Sequence, residues 1–314
     1  MAKSIRDAYG EALVTYGKDN SRVVVLDADV SGSTKSAMFG KACPERFYNV
    51  GIAEANMVGM AAGMASAGRI PFINTFAVFL TSLGLTAARA FGSYSKLPIK
   101  MVGAYGGISD TFDGPSHHSL EDIATMRALP NFKVFVASDA AQAAWLVKNA
   151  ITDPSPMYLR MSRDVFPDLY TVNEIFEEGK GKIVRQGTDA TVIACGLMVG
   201  NAIVAADILA SEGISLRVVD MFCIKPLDEK LVISCAKETK AIVTAEEHNI
   251  YGGLGGAVCE ALCMAGVQVP VRMAAINDLH TECGPYAKLQ AKYGLDANSI
   301  ASKVKEVIAA KAKI

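Results

Sequence analysis

The sequence lacks an excess of charge of either sign. Its 314 residues carry 31 lysines and arginines against 32 aspartates and glutamates, a formal net charge of −1. It also lacks an apolar run approaching the roughly 20 residues of a membrane span. Its first residues, MAKSIRDAYGEAL, lack the apolar core of a signal peptide. Nothing in this composition favours nucleic acid or anionic membrane as a partner, and we expect a globular protein located in the cytoplasm.

A disulfide framework is missing as well. The seven cysteines are odd in number and scattered from Cys43 to Cys283, which favours reduced thiols in the core. Cys259 and Cys263 share one face of a predicted helix, but no other Cys or His lies near enough in sequence to complete a zinc pattern. We therefore assign no metal ligands to this chain.

What the sequence does contain is a regular alternation of helix and strand patterns. An amphipathic helix from Ile5 to Tyr16 comes first, and one long helix is expected to run through Ala87 to Phe91. The predicted strands are RVVVLDAD, IPFINTF, IKMVGA, FKVFVAS, MYLRMS, ATVIACG, SLRVVDMF, AIVTAEE and PVRMAAI. Continuous apolar strands separated by helices indicate parallel sheets covered on both faces, hence an α/β fold with two doubly wound domains, the second smaller.

The alternation pauses between Arg163 and Asp189, where turn residues and charges show no sustained periodicity. We place a domain boundary there. The predicted organisation is a first domain over residues 1–165, a linker over 166–187 and a second domain over 188–314.

One carboxylate stands out in the segment NVGIAEANMVGMAAGMA, which runs from Asn49 to Ala65. Glu54 opens a helix whose next eleven residues are apolar, small or uncharged, so that no solvated face is expected. Acidic residues are common in the first helical turn, where they face the positive end of the helix dipole. A desolvated carboxyl group at this position would instead have to bind a partner or hold a proton.

Polar or aromatic residues follow four of the predicted strands. In open α/β sheets, ligands bind at the carboxyl ends of the strands. The segment YGGISDTFDGPSHHSLED is the richest of the four, because its density of titratable and turn-forming residues exceeds what folding requires. The others are DADVSGSTKS after the first strand, Phe76 with Phe79 after IPFINTF, and Arg163 after MYLRMS.

Taken together, these segments resemble the C-terminal half of a transketolase. The matching motifs, in the family's order, are IAEANM, INTFAVF, DGPSHHSLEDIATMRALPN and YLRMSR. The resemblance covers the pyrimidine-binding and C-terminal domains of that family. It implies dependence on thiamine diphosphate, whose metal ion, Mg²⁺ or Ca²⁺, the family binds through a Gly-Asp-Gly motif in a separate N-terminal domain. These 314 residues contain no such motif. The resemblance therefore implies an N-terminal partner subunit, in a heterotetramer with a homodimeric core.

The resemblance also implies roles at the cofactor. The family glutamate at the Glu54 position hydrogen-bonds a nitrogen of the aminopyrimidine ring across a subunit interface and so helps to activate the thiazolium carbon. Phe79 matches the aromatic residue that stacks on the aminopyrimidine, with Phe76 beside it. Asp29 matches a position at the cofactor or substrate site.

For the sugar phosphates, His117 matches the histidine close to the transferred carbons, and Asp113 matches the carboxylate that contacts a hydroxyl group. Arg6, Ser33 and Arg163 match positions that bind the phosphate. Two positions depart from the family pattern. Tyr105 replaces a histidine that helps to bind the phosphate in many members, and Ser82 replaces an aromatic residue; these departures leave the sugars open. The matching site residues are Glu54, His117, Phe76, Phe79, Asp29, Arg6, Ser33, Asp113, Arg163 and Tyr105.

The leading hypothesis is a subunit that transfers a two-carbon ketol unit between ketose and aldose phosphates. The alternatives are a related thiamine enzyme similar to 1-deoxyxylulose-5-phosphate synthase, a transketolase with an unusual sugar substrate, and a non-catalytic regulatory homologue. Retention of Glu54, Phe79, Asp113 and His117 argues against the last. The glycines of EEHNIYGGLGG do not follow a nucleotide-binding fingerprint, and His248 and His280 receive no role.

Overall fold

The computed structural model describes residues 3–165, 167–171 and 174–312, which form two mainly parallel β-sheets covered by helices. The predicted α/β fold with two domains is confirmed. Residues 1, 2, 166, 172, 173, 313 and 314 of the predicted domains and linker lie outside the described residues. Within the described ranges, none of the helices combines the length and apolar character needed to cross a membrane.

The larger sheet has seven strands in the order β10-β5-β6-β4-β3-β1-β2. Its strands are β1 (Val23–Asp27), β2 (Phe47–Asn49), β3 (Ile70–Phe76), β4 (Lys100–Ala104), β5 (Lys133–Val136), β6 (Met157–Arg160) and β10 (Cys223–Lys225). Its helices are α1 (Ile5–Gly17), α2 (Ser31–Thr34), α3 (Ala37–Ala42), α4 (Glu54–Ser66), α5 (Ala77–Ser82), α6 (Leu85–Ala87), α7 (Asp122–Ala128) and α8 (Ala140–Thr152).

The smaller sheet has five strands in the order β12-β11-β8-β9-β7. Its strands are β7 (Lys182–Arg185), β8 (Ala190–Ala194), β9 (Leu216–Asp220), β11 (Ile242–Asn249) and β12 (Val271–Ile276). The helices of this half are α9 (Met198–Ala210), α10 (Glu229–Thr239), α11 (Leu254–Met264), α12 (Tyr286–Lys292) and α13 (Ala297–Lys311).

Most of the predicted apolar strands are buried on both faces, but β12, at the edge of the smaller sheet, is only partly buried. In β1, Val24 and Leu26 belong to one hydrophobic core, whereas Val23 and Val25 belong to another. Successive strand residues point to opposite faces of a sheet, so these two cores lie on opposite sides of it. Because β1, β3, β4 and β6 are parallel neighbours, their carboxyl ends meet at one edge.

The structure differs from the sequence predictions in one helix and in three short strands. The single helix expected through Ala87 to Phe91 is wrong: α5 ends at Ser82, α6 follows, and a π-helical segment occupies Ala88–Tyr94. At Gly84, between α5 and α6, a Cβ atom would lie 2.6 Å from the Leu80 carbonyl oxygen, so the chain packs too tightly there for a side chain.

The three strands are β2, which pairs in parallel with β1, and two antiparallel strands. β7 lies inside the predicted linker and pairs with β9, and β10 crosses from the second half of the chain to pair with β5. The linker residue Phe176 packs against Trp145 and Phe222. The exact domain boundaries remain a prediction.

Candidate active site

Four of the predicted site residues form an aromatic cluster at the carboxyl edge of the larger sheet. Phe76 is the last residue of β3 and Tyr105 follows β4, and their rings are stacked with centroids 4.6 Å apart. The His117 ring presents its edge to Phe79 at 5.1 Å and to Phe76 at 5.9 Å. The cluster offers flat apolar surfaces beside an imidazole, which suits an aromatic ring bound next to a polar reactant.

Tyr105 is held in place by two arginines. The Arg6 Nη1 atom donates a hydrogen bond to the Tyr105 hydroxyl at 2.9 Å and another to the Ser33 carbonyl oxygen at 2.5 Å. The guanidinium carbons of Arg6 and Arg163 lie 4.8 and 5.2 Å from the centre of the tyrosine ring. Tyr105 has a left-handed backbone with φ of 61°, which is uncommon outside glycine. The structure thus brings together all four residues expected at the phosphate end.

The loop after β4 adds a cluster of titratable side chains. Ligand atoms of Asp110, Asp113 and His117 all lie within 4.8 Å of one another. Asp110 is completely buried, and its Oδ1 atom accepts a hydrogen bond from Arg163 Nη1 at 2.9 Å. Burial and the charge of Asp113 raise the pKa of Asp110, whereas Arg163 acts in the opposite direction. Sequence reasoning missed Asp110, because only the folded loop shows that this carboxylate is buried.

Glu54 is buried at the first turn of α4, with 4% of its surface exposed. The Thr75 hydroxyl donates a long hydrogen bond of 3.4 Å to its Oε1 atom. Thr75 is the neighbour of Phe76 in β3, so the carboxylate lies on the same strand end as the aromatic cluster. Burial removes most water from this carboxylate, and the hydrogen bond from Thr75 is long. The carboxylate can therefore accept a hydrogen bond from a bound ligand.

The expectation that α4 is buried on every side is wrong for this chain. Ala55, Asn56, Gly63 and Ser66 are exposed along one face, and the preceding Ile52 is 82% exposed. The sequence pattern shows apolar and small residues all round the helix, but only one face packs against the sheet. The open face begins beside Glu54.

Asp29 lies farther along the same edge, two strands from Tyr105. Its backbone is left-handed, with φ of 66°, and its Oδ1 atom accepts a hydrogen bond from Asn49 Nδ2 at 2.7 Å. Asp27 instead serves the fold, because its carboxylate accepts hydrogen bonds from the hydroxyls of Thr34 and Ser36. Within the described contacts, Asp29 does not join the aromatic cluster.

The second half of the chain contacts the site loop directly. The Glu247 carboxylate accepts hydrogen bonds from the Ile108 backbone N–H and the Tyr286 hydroxyl, each at 3.1 Å. Gly107, with φ of 70°, makes room for this contact, since a Cβ atom there would lie 2.6 Å from the Glu247 carboxyl carbon. Burial raises the pKa of Glu247 to about 7. Sequence reasoning gave no role to Glu247, although it lies in the segment EEHNIYGGLGG, and none to Tyr286.

The remaining sequence candidates have local structural contacts. Glu246 accepts hydrogen bonds from the Leu254 and Gly255 N–H groups and so caps α11 after the glycine-rich loop. His248 is buried and shares a hydrogen bond with the Asn249 carbonyl oxygen. The Ser82 hydroxyl donates to the Val78 carbonyl oxygen of its own helix, and all seven cysteines are free thiols.

Comparison with known proteins assigns both halves of the chain. Residues 1–167 match the family model "Transketolase, pyrimidine binding domain", and residues 179–300 match "Transketolase, C-terminal domain". A Methanocaldococcus jannaschii protein, described provisionally as a transketolase C-terminal section, is 42% identical over 97% of this chain and 96% of its own length. A 6-deoxy-6-sulfo-D-fructose transketolase subunit of Clostridium sp. strain MSTE9 is 36% identical, over 96% of this chain and 94% of that relative.

A solved structure described as "Split gene transketolase, inactive beta4 tetramer" superposes with a TM-score of 0.90 at 43% identity. The match covers 98% of this chain and 99% of that one. The chain therefore belongs to the transketolase family and comprises its pyrimidine-binding and C-terminal domains, the part found in the C-terminal subunit of a split transketolase.

Proposed function

We propose that this chain is the C-terminal subunit of a heteromeric, thiamine diphosphate-dependent transketolase that transfers a two-carbon ketol unit from a ketose to an aldose. The observation that carries the proposal is the placement of Glu54, Phe76 and Phe79 at one sheet edge with His117. A buried carboxylate and an aromatic platform are the two features that an aminopyrimidine ring requires. The residues present therefore fit that half of the cofactor.

When bound, thiamine diphosphate supplies a carbon nucleophile that can hold a two-carbon unit between two sugars. The role of Glu54 is to hold a proton at a pyrimidine nitrogen, and its burial strengthens that hydrogen bond because water does not compete for the carboxylate. Phe79 and Phe76 fix the plane of the ring. Asp29 is a further cofactor contact in this proposal, since it lies at the same sheet edge.

The sugar lies over the loop after β4. His117 shares a hydrogen bond with the Ser116 hydroxyl at 3.0 Å, which orients the imidazole against the aromatic cluster. From there His117 can pass a proton to or from a sugar oxygen, and the exposed carboxylate of Asp113 can accept a hydrogen bond from a sugar hydroxyl. Arg6, Ser33, Tyr105 and Arg163 would contact the far end of the sugar.

The active form is a heterotetramer of two such chains and two N-terminal subunits, the latter holding the diphosphate and Mg²⁺ or Ca²⁺. The open face of α4 beside Glu54, with the exposed Ile52, supports a partner surface at the cofactor site. The relative named for a sulfonated ketose indicates that the substrates of such subunits are not limited to phosphates.

The test is Glu54→Gln in the complex reconstituted with the N-terminal subunit. We expect hydrogen–deuterium exchange at the thiazolium carbon to slow by roughly a hundredfold to ten-thousandfold, because a neutral amide cannot act as the acid–base group. Cofactor binding should be largely retained, since the substitution is nearly isosteric. Glu212→Gln, at an exposed surface ion pair with Lys305, is the matched control. Normal exchange and turnover in the Glu54 variant would remove this residue from the mechanism.

A further inference from the structure

The far end of the sugar site contains acidic side chains as well as arginines. Asp110 Oδ1 is 2.9 Å from Arg163 Nη1. Asp164, half-buried, is close enough to both arginines that their charges act to lower its pKa, although desolvation raises it overall. Two carboxyl groups thus oppose the two guanidinium groups, Arg6 and Arg163, that would hold an anionic end group.

Asp110 depends on Arg163 for its charge compensation. It is completely buried, and its second oxygen, Oδ2, has no hydrogen-bond partner in the described part of the chain. Two titratable side chains lie beside Asp110: a second carboxyl group, that of Asp113, and the imidazole of His117. If Arg163, whose side chain is 40% exposed, turned to a bound phosphate, the Asp110 carboxylate would be left buried and unpaired.

A doubly charged end group therefore meets two penalties. It competes with Asp110 for Arg163, and its own charges are repelled by the buried carboxylate. Tyr105 adds a hydroxyl but no positive charge to offset them. An end group with a single negative charge needs less compensation, and Arg6 can provide it while Arg163 stays paired with Asp110.

The geometry points to Asp110 as a specificity-determining residue that makes this site prefer a sugar with a singly charged end group, such as a sulfonate, over a phosphate dianion. This inference rests on the proposed function and specifies its substrate class. It concerns the end group that Arg6 and Arg163 would contact. Because Asp110 also lies close to Asp113 and His117, the inference is tested by the ratio between donors that share the same reacting carbons.

The test compares three six-carbon ketose donors that differ only at carbon 6, which carries phosphate, sulfonate or a free hydroxyl. In each reaction the bond between carbons 2 and 3 breaks, an aldose leaves, and the two-carbon unit joins glycolaldehyde, so no oxidant or reductant is needed. At about pH 8 the phosphate is a dianion and the sulfonate a monoanion. The reconstituted complex is assayed as wild type, as Asp110→Asn and as Asp168→Asn, an exposed control.

We expect the wild type to turn over the sulfonate with a kcat/KM at least equal to that of the phosphate. Asp110→Asn should raise the phosphate-to-sulfonate ratio by roughly tenfold or more, and the Asp168 variant should leave it unchanged. A wild type that prefers phosphate by about tenfold would overturn the inference. So would an Asp110→Asn ratio that matches the wild-type ratio. The wild-type ratio decides the matter if the Asp110 variant does not assemble.

A separate reaction distinguishes failure of this inference from failure of the proposed function. Hydroxypyruvate carries no remote end group, and it gives its two-carbon unit to glycolaldehyde with loss of carbon dioxide. If hydroxypyruvate is turned over but none of the three ketoses is, the end-group inference is wrong. If hydroxypyruvate is also inert in the assembled complex, the transketolase proposal itself is wrong.

Discussion

Replacing Glu247 by glutamine should change how the stability of the chain depends on pH. Burial raises the pKa of this carboxyl from 4.5 to about 7 in the folded chain. Between these two values the unfolded chain has released the proton and the folded chain still holds it, so rising pH favours unfolding. The contribution of Glu247 to the free energy of unfolding is fully present below about pH 4.5 and is lost as the pH rises through about 7. The loss amounts to at most about 3 kcal/mol.

Glutamine removes this titration and can keep both contacts. Its carbonyl oxygen can accept from the Ile108 N–H, and its amide can donate to the Tyr286 hydroxyl. We therefore expect Glu247→Gln to match the wild type near pH 4.5 and to exceed its unfolding free energy by up to about 3 kcal/mol at pH 8. Asp220, another buried carboxyl with a raised pKa of about 6, is present in both proteins, so its effect cancels in the comparison.

Urea denaturation followed by tryptophan fluorescence measures this difference. The chain has a single tryptophan, Trp145, which packs edge-to-face against Phe222 at 5.7 Å and so reports on both halves of the chain. Glu212→Gln at the surface is the control and should shift stability by less than about 1 kcal/mol at every pH. If the unfolding free energies of the wild type and of Glu247→Gln differ by the same amount at every pH from 4.5 to 8, the reasoning is refuted.

Three other outcomes follow from the site and its supports. Tyr105→His should lower the Michaelis constant for phosphorylated sugars by about tenfold, because an imidazolium adds a charged hydrogen-bond donor and histidine tolerates the left-handed backbone. If steady-state kinetics show the same preference for phosphorylated sugars in both proteins, Tyr105 only lines the substrate channel. Arg160→Met should lower the unfolding free energy measured in urea by about 3–5 kcal/mol, because it leaves the buried Asp122 without its ion-pair partner. Adding Asp122→Asn should restore much of that free energy. An Arg160→Met variant as stable as the wild type would contradict this. The isolated chain should bind thiamine diphosphate weakly in calorimetry with magnesium, and tight binding would contradict the division of the site between two subunits.

The sequence predicted most of the larger sheet because its strands have both faces covered. Every residue of β1 and β4 is buried, and apart from Asp27 and Lys100 at their ends these strands contain only apolar or small residues. The same logic located Phe76 and Tyr105 at neighbouring strand ends, and the structure places their rings in contact. Their roles toward cofactor and sugar remain predictions.

The missed features depend on contacts between distant segments. β7 and β10 have only four and three residues, too few for a period to be recognised, and tertiary pairing defines both. The burial of Asp110 arises when its loop folds beside Arg163, and Glu247 reaches that loop from 139 residues away. No local pattern records such contacts.

The crossing of β10 into the larger sheet bears on whether the two domains can be separated. A fragment ending near residue 165 would leave the outer edge of β5 bare from Lys133 to Val136, with backbone N–H and C=O groups free to capture a strand from another molecule. Such a fragment should self-associate, even though the pause in the sequence pattern marks it as autonomous. In the whole chain, separating the two halves would remove a strand from the first sheet. The two halves should therefore unfold together in one cooperative transition, and they should not move as two bodies joined by a hinge.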